Sequence, residues 1–211
     1  MALVKLNNRG VRSATAFGSI TGLGQLIFIK KITASASGTV SFVDGASDVV
    51  LDDTYKEYLF TFNNIHPSAN STEFQFNLSV DTGSNYNVAK TTSYFVAYHK
   101  PATDGDYSLG YDTGNDLAQG TGAQILGKDV SDDNEGSLSG YLHLFDPSST
   151  TFVKHFISTV SYEMKSAGGA VYQFNDYIAG YGNTTSAVDA IQFSMSSGNI
   201  DAGDICLYGV K

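Results

Sequence analysis

Thr72-Glu-Phe-Gln-Phe-Asn-Leu-Ser-Val80, TEFQFNLSV, decides the fold class. Phe74, Phe76, Leu78 and Val80 alternate without a break with Glu73, Gln75, Asn77 and Ser79. A period of two places the first set on one face of a strand and the second on the other, so the stretch predicts a half-buried antiparallel strand with one wet face. DTGSN (residues 81–85) follows as its turn, and NVAKTTSYFVAYH (87–99) as the next strand. On the N-terminal side, YKEYLFTFNNI (55–65) sets Tyr58, Phe60 and Phe62 on one face, with Leu59 and Thr61 on the other.

The same period runs through most of the chain. LIFIKKI (26–32) is apolar enough at its start for a strand buried on both faces, and TVSFV (39–43) pairs Val40 with Phe42 on one face. Beyond residue 136, strands are expected in SLSGYLHLF, FVKHFISTVSYE, AVYQFNDYIAGY, AVDAIQFSM and DICLYGV. Between Lys100 and Gly136 the alternation fades into Gly- and Asp-rich sequence, read as a long loop region that hides one or two short edge strands. Turn signals every ten to fifteen residues or so and the lack of any helical period predict an all-β protein. The expected architecture is an antiparallel, jelly-roll-like β-sandwich of roughly eight to ten strands. Its domain spans residues 25–211, preceded by an extended N-terminal arm over residues 1–24, where NNRG and GSITGLG break every period.

Composition agrees. The 211 residues include 22 Gly, 13 Tyr and 13 Phe but no Trp, and 42% are hydrophobic, enough to close a core. The one cysteine, Cys206, allows no internal disulfide and is expected to pack as a small apolar residue. No apolar run reaches the roughly 18 residues of a membrane span. The N-terminal cations are followed by no continuous apolar core, so no secretory signal is expected. The net charge of −9 is unevenly spread. The first 43 residues hold Lys5, Arg9, Arg12, Lys30 and Lys31 and no acid, a charge of +5; the remainder sets 7 cations against 21 acids, or −14. A basic arm on an acidic body points to docking through Lys5, Arg9 and Arg12, and the acidic body argues against a nucleic-acid partner.

Three sites are candidates for chemistry. A hairpin centred on Ser149 would set His143 opposite His155, a weak metal or pH-switch candidate for which spacing supplies no third ligand. KDVSDDNEG holds Asp129, Asp132, Asp133 and Glu135, without the spacing of a helix–loop–helix calcium loop. No metal or other cofactor is expected. Asp104, Asp106, Tyr107 and Tyr111, in the loop region, are the expected ligand-contact residues, because Tyr combines contact area with a polar tip. Nucleophile-elbow, Walker A and H-E-x-x-H motifs are missing, and Gly136-Ser137-Leu138-Ser139-Gly140 holds its serines at the wrong places for an elbow. The chain is therefore expected to be no enzyme.

MALVKLNNRGVRSATAFGS (1–19), TYKEYLFTFNNIHPS (54–68) with STEFQFNLSVDTGSNYN (71–87), GYLHLFDPSSTTFVKHF (140–156) and SSGNIDAGDICLYGVK (196–211) share a character. These stretches resemble virion structural and appendage proteins of marine tailed bacteriophages, of the cyanophage-like and pelagiphage-like kind. The resemblance implies a tail fibre or tip subunit, or a head-decoration protein, made in the bacterial host cytoplasm and residing in the virion. Its expected partners are other virion proteins and further copies of itself, with a trimer favoured, and neither nucleic acid nor a membrane. The alternative is a carbohydrate-binding module that recognises a host-surface glycan through the 100–136 loops.

Overall fold

The computed structural model describes residues 26–101, 105–166 and 169–211, which form twelve strands and no helix. In chain order these are β1 (Leu26–Ser37), β2 (Thr39–Val43), β3 (Glu57–Pro67), β4 (Thr72–Ser79), β5 (Lys90–His99) and β6 (Tyr107–Tyr111). They continue as β7 (Gln124–Val130), β8 (Leu138–Phe145), β9 (Lys154–Lys165), β10 (Val171–Gly182), β11 (Ala190–Met195) and β12 (Ile200–Val210). Two more strands are present than the upper end of the expected range. The long loop region supplies two short ones, β6 and β7. The expected arm, with Lys5, Arg9 and Arg12, lies outside the described residues.

Every pairing is antiparallel, and the pairs nest: β5 with β6, β4 with β7, β3 with β8, β2 with β11 and β1 with β12. The chain is thus one long hairpin folded back on itself, with β9–β10 as a side hairpin. Successive nested pairs fall alternately into two sheets, which is how a jelly roll is wound. One sheet runs β1-β12-β3-β8-β9-β10-β5-β6 and the other β2-β11-β4-β7; a single pair, Val130 with Met164, joins them along one side.

The core lies between the sheets. Tyr58, Phe60 and Phe62 of β3 and Phe74, Phe76 and Leu78 of β4 point into it, as their alternation predicts. Phe193 of β11 is the hub: its ring centre lies 5.2 to 6.4 Å from those of Phe42, Phe60, Phe62, Phe74 and Phe76. Each such ring contributes about 1.5–3 kcal/mol through burial. Gly140 permits the closest strand approach, since a Cβ there would lie 2.3 Å from the Thr159 carbonyl oxygen across the β8–β9 ladder.

Four expectations change. The start of β1 is not buried on both faces: β1 is an edge strand, and its Leu26 and Phe28 are exposed. Val80 lies past the end of β4 and is exposed, because the turn at Asp81 takes the chain out of the sheet. The expected wet face of β4 is largely covered, with Asn77 and Ser79 buried. Asn77 Nδ2 donates to the carbonyls of Tyr86 and Thr121, so passing loops supply partners that a strand pattern does not reveal. Finally, the β8–β9 register differs by two residues, pairing His143 with Ile157 and Leu144 with Phe156. A two-residue slip leaves every side chain on the same face, so alternation cannot distinguish the registers. Turn chemistry decides. Asp146 N donates to Lys56 O, Ser149 Oγ accepts from Thr151 and Phe152 N, and buried Lys154 donates to Phe152 O at 2.7 Å.

Candidate functional site

The sheets diverge where β6 ends one and β7 ends the other, leaving a cleft of about 380 Å³. Inward residues of β5 and β10, Val96, Tyr98 and Phe174, form its floor together with Met164 of β9; Lys128 and Asp129 of β7 and Asp112 after β6 add the polar groups. A second hollow, of about 310 Å³, shares Tyr98, Met164 and Phe174 and adds Asp106, Ser166 and Tyr172. The two form one groove along the open end of the sandwich.

Its aromatic lining is held in place. Tyr98 stacks on Phe174 at 5.2 Å and 22°, Tyr172 meets Tyr98 edge-on at 5.8 Å, and Phe174 stacks in turn on buried Tyr162 at 5.5 Å. Rings fixed by other rings lose little freedom when a ligand arrives, which favours binding. The polar groups are also organised. Lys128 Nζ pairs with Asp112 Oδ2 at 3.3 Å, and Asp112 accepts further bonds from Gly114 N and Asn115 Nδ2. Against the upward push of partial burial, the Gly114 bond and the Lys128 charge hold the Asp112 carboxyl below the usual range. Asp129, with φ of 51°, is pushed the other way by burial. Asp106 accepts a 2.9 Å bond from the Tyr172 hydroxyl, which raises that phenol.

Behind the floor, Asp176 of β10 is wholly buried. Its Oδ2 accepts from Tyr94 Oη at 2.5 Å and Tyr162 Oη at 2.7 Å, while its Oδ1 meets no donor among the described residues. Burial pushes this carboxyl up to about 6, against the two phenol bonds that favour the ion.

Of the expected ligand-contact residues, Asp106 and Tyr111 line the groove. Tyr107 lies on the outward sheet face, stacked on His99 at 6.1 Å, and Asp104 is outside the described residues. The histidine pair is not assembled: His143 bonds Glu57, and His155 packs on Tyr181. The acidic cluster is divided. Asp129 faces the groove, Asp133 pairs with Lys165 at 2.6 Å, and Asp132 and Glu135 are exposed. Among the described residues no group of three or more His, Cys, Asp or Glu could hold a metal ion, and no helix could cross a membrane.

Sequence reasoning missed Phe174, Lys128 and Asp176. One signal was available for the last: in AVYQFNDYIAGY, period two puts Asp176 on the same face as Phe174 and Ile178, and a carboxylate on a core face is unusual.

Chemically, stacked aromatic rings beside fixed carboxylates and one ammonium suit a ligand with apolar faces and hydroxylated edges. Comparison with protein-family models, with curated proteins and with solved structures found no match.

Proposed function

We propose that this chain is a non-enzymatic virion structural protein of a tailed phage, a tail fibre or tip subunit or a head-decoration subunit, that docks through its basic N-terminal arm and displays the β-sandwich. One observation carries the reading. The stretches resembling such proteins map to β3, β4, the β8–turn–β9 hairpin and β12, and β12, β3, β8 and β9 are consecutive neighbours in one sheet. Three of the resembling stretches thus fall on adjacent strands of one sheet, with their core-facing alternation and their turn, while β4 lies in the facing sheet and residues 1–19 lie outside the described residues. The three cations of the arm, Lys5, Arg9 and Arg12, set against an acidic body, support docking by the arm and outward display of the remainder. The test is assembly of particles with residues 25–211 in place of the full chain. The truncated protein should fold and fail to join the particle; incorporation at the normal level would overturn the docking role.

A second reading, a carbohydrate-binding module that recognises a host-surface glycan, is favoured by the groove. The Tyr98–Phe174 stack offers a platform for a sugar face, and Asp106, Asp112 and Lys128 offer partners for hydroxyls. A glycan array with the full chain distinguishes this reading: binding that Tyr98→Ala removes supports it, and silence across the array counts against it.

A further inference from the structure

Apart from Tyr111, which sits at the groove's rim, the outward face of the eight-stranded sheet takes no part in the groove, yet it carries the most conspicuous exposed apolar surface of the described residues. Strand register sets Tyr141, Thr159, Tyr177, Phe95 and Tyr111 side by side across β8, β9, β10, β5 and β6. Ile157, Ala179 and Ser93 form the row on one side; Ser161, Asn175, Ala97 and Leu109 form the row on the other. Six of these twelve side chains, Tyr141, Tyr177, Phe95, Tyr111, Ile157 and Leu109, are large, apolar and between 40% and 74% exposed. The Phe95 and Tyr111 rings already meet edge-on at 5.2 Å, so the surface is ordered before anything binds.

We propose that this face mates with the same face of a second copy of the chain. Charge is the first reason. A chain at −9 repels its own copy over most of its surface, but none of the twelve positions in the three rows is Asp, Glu, Lys or Arg, and the carboxylates at the border are engaged, Glu57 by His143 beside Ile157 and Asp116 by the Tyr111 hydroxyl. Here two acidic bodies can approach without facing like charges. Composition is the second reason. An isologous contact requires a surface to be its own complement, residue i meeting j and j meeting i. Tyr hydroxyls, Ser and Thr hydroxyls and the Asn175 amide each offer both donor and acceptor, so the patch satisfies itself when rotated by half a turn. Size is the third. Five strands spaced about 4.8 Å apart and three rows about 7 Å apart give, with side-chain width, a patch of roughly 24 by 20 Å. Allowing for side-chain relief and the flanking residues, that approaches the roughly 800 Å² per partner of a stable interface. Contiguous apolar surface of this extent marks an interaction site on a soluble protein.

The test uses the full chain. Sedimentation equilibrium from sub-micromolar to tens of micromolar concentrations should show a monomer–dimer equilibrium. Phe95→Asp and Tyr177→Asp, which set carboxylates against each other across the two-fold, should weaken it at least about 30-fold, the scale of a hot-spot loss. Phe152→Asp, on an exposed loop residue away from the face, should leave it unchanged. A nitroxide label on Thr159→Cys, in the middle row, should show dipolar coupling to its counterpart in the other copy, which reports face-to-face pairing and does not depend on the destabilising variants folding. A wild-type chain that stays monomeric throughout overturns the proposal. So does an oligomer that survives Phe95→Asp, or a labelled Thr159→Cys oligomer whose two labels show no coupling. If Phe95→Asp instead removes glycan binding from a monomer, the face belongs to a sugar. The dimer test reads nothing about virions, so it can fail or succeed independently of the proposed function.

Discussion

Replacing Asp176 by Asn should change how stability depends on pH, and the structure gives both sign and size. The carboxyl sits wholly buried under the groove, accepting two phenol bonds on one oxygen and none on the other. Burial raises it from 3.8 to about 6 in the folded protein. Between these values the folded state holds a proton that the unfolded chain has released. This group's contribution is therefore fully present below about pH 4 and is lost as pH rises through 6. The gap corresponds to about 3 kcal/mol. Other carboxylates act in the opposite sense. Side-chain hydrogen bonds hold Asp52, Asp81, Asp133 and Asp204 below the usual range, so their contributions vanish on acidification and mask Asp176 in the wild-type profile. The difference between wild type and Asp176→Asn isolates it. Asn cannot ionise, and any fixed cost of its amide cancels between pH values. Urea unfolding at pH 4 and pH 8 should show the variant gaining about 2.5 kcal/mol on the wild type between the two, half of it by about pH 5, midway between the unfolded and folded values. An offset that stays constant between those pH values would refute the assignment of a neutral carboxyl to the folded core.

Four further outcomes are expected. Phe193→Ala, which removes the central ring of a six-ring cluster, should cost about 3–5 kcal/mol in denaturant unfolding, and a loss well under that would mean the cluster is not the core's hub. Gly140→Ala must push β8 and β9 apart against the Thr159 carbonyl and should cost about 1–3 kcal/mol; an unchanged midpoint would contradict the close approach. Zinc should leave the melting temperature unmoved, since His143 is engaged by Glu57 and His155 by Tyr181, whereas a rise of several degrees would reveal a site. Tyr98→Ala should abolish any glycan binding by the full chain while lowering stability only moderately, and retained binding would place the ligand elsewhere.

The architecture was legible because alternation is strong in β3, β4, β9 and β10, where core-facing Phe, Tyr and Leu leave no doubt about the face. The jelly-roll winding itself follows from nested pairing, which no local pattern encodes. β6 was hidden because all five of its residues are exposed, and an edge strand with nothing to bury has no alternation to display. The β8–β9 register was missed because the error was two residues, invisible to a period of two, and was set by Asp146, Ser149 and Lys154 in the turn. The groove was half legible. Asp106 and Tyr111 were selected as polar and aromatic residues in a loop region, but Tyr98, Lys128 and Phe174 come from three strands brought together only by the fold. The exposed sheet face was equally hidden: Tyr141, Tyr177, Phe95 and Tyr111 are far apart in sequence and become neighbours only through register.

The claim that this chain is a structural component of a virion is tested most directly by quantitative mass spectrometry of purified particles of the phage that encodes it. The account predicts that the chain co-purifies with the particle at a fixed stoichiometry, in proportion to the head lattice for a decoration subunit or to a tail component for an appendage. A chain abundant in infected-cell lysate but absent from washed particles would contradict it.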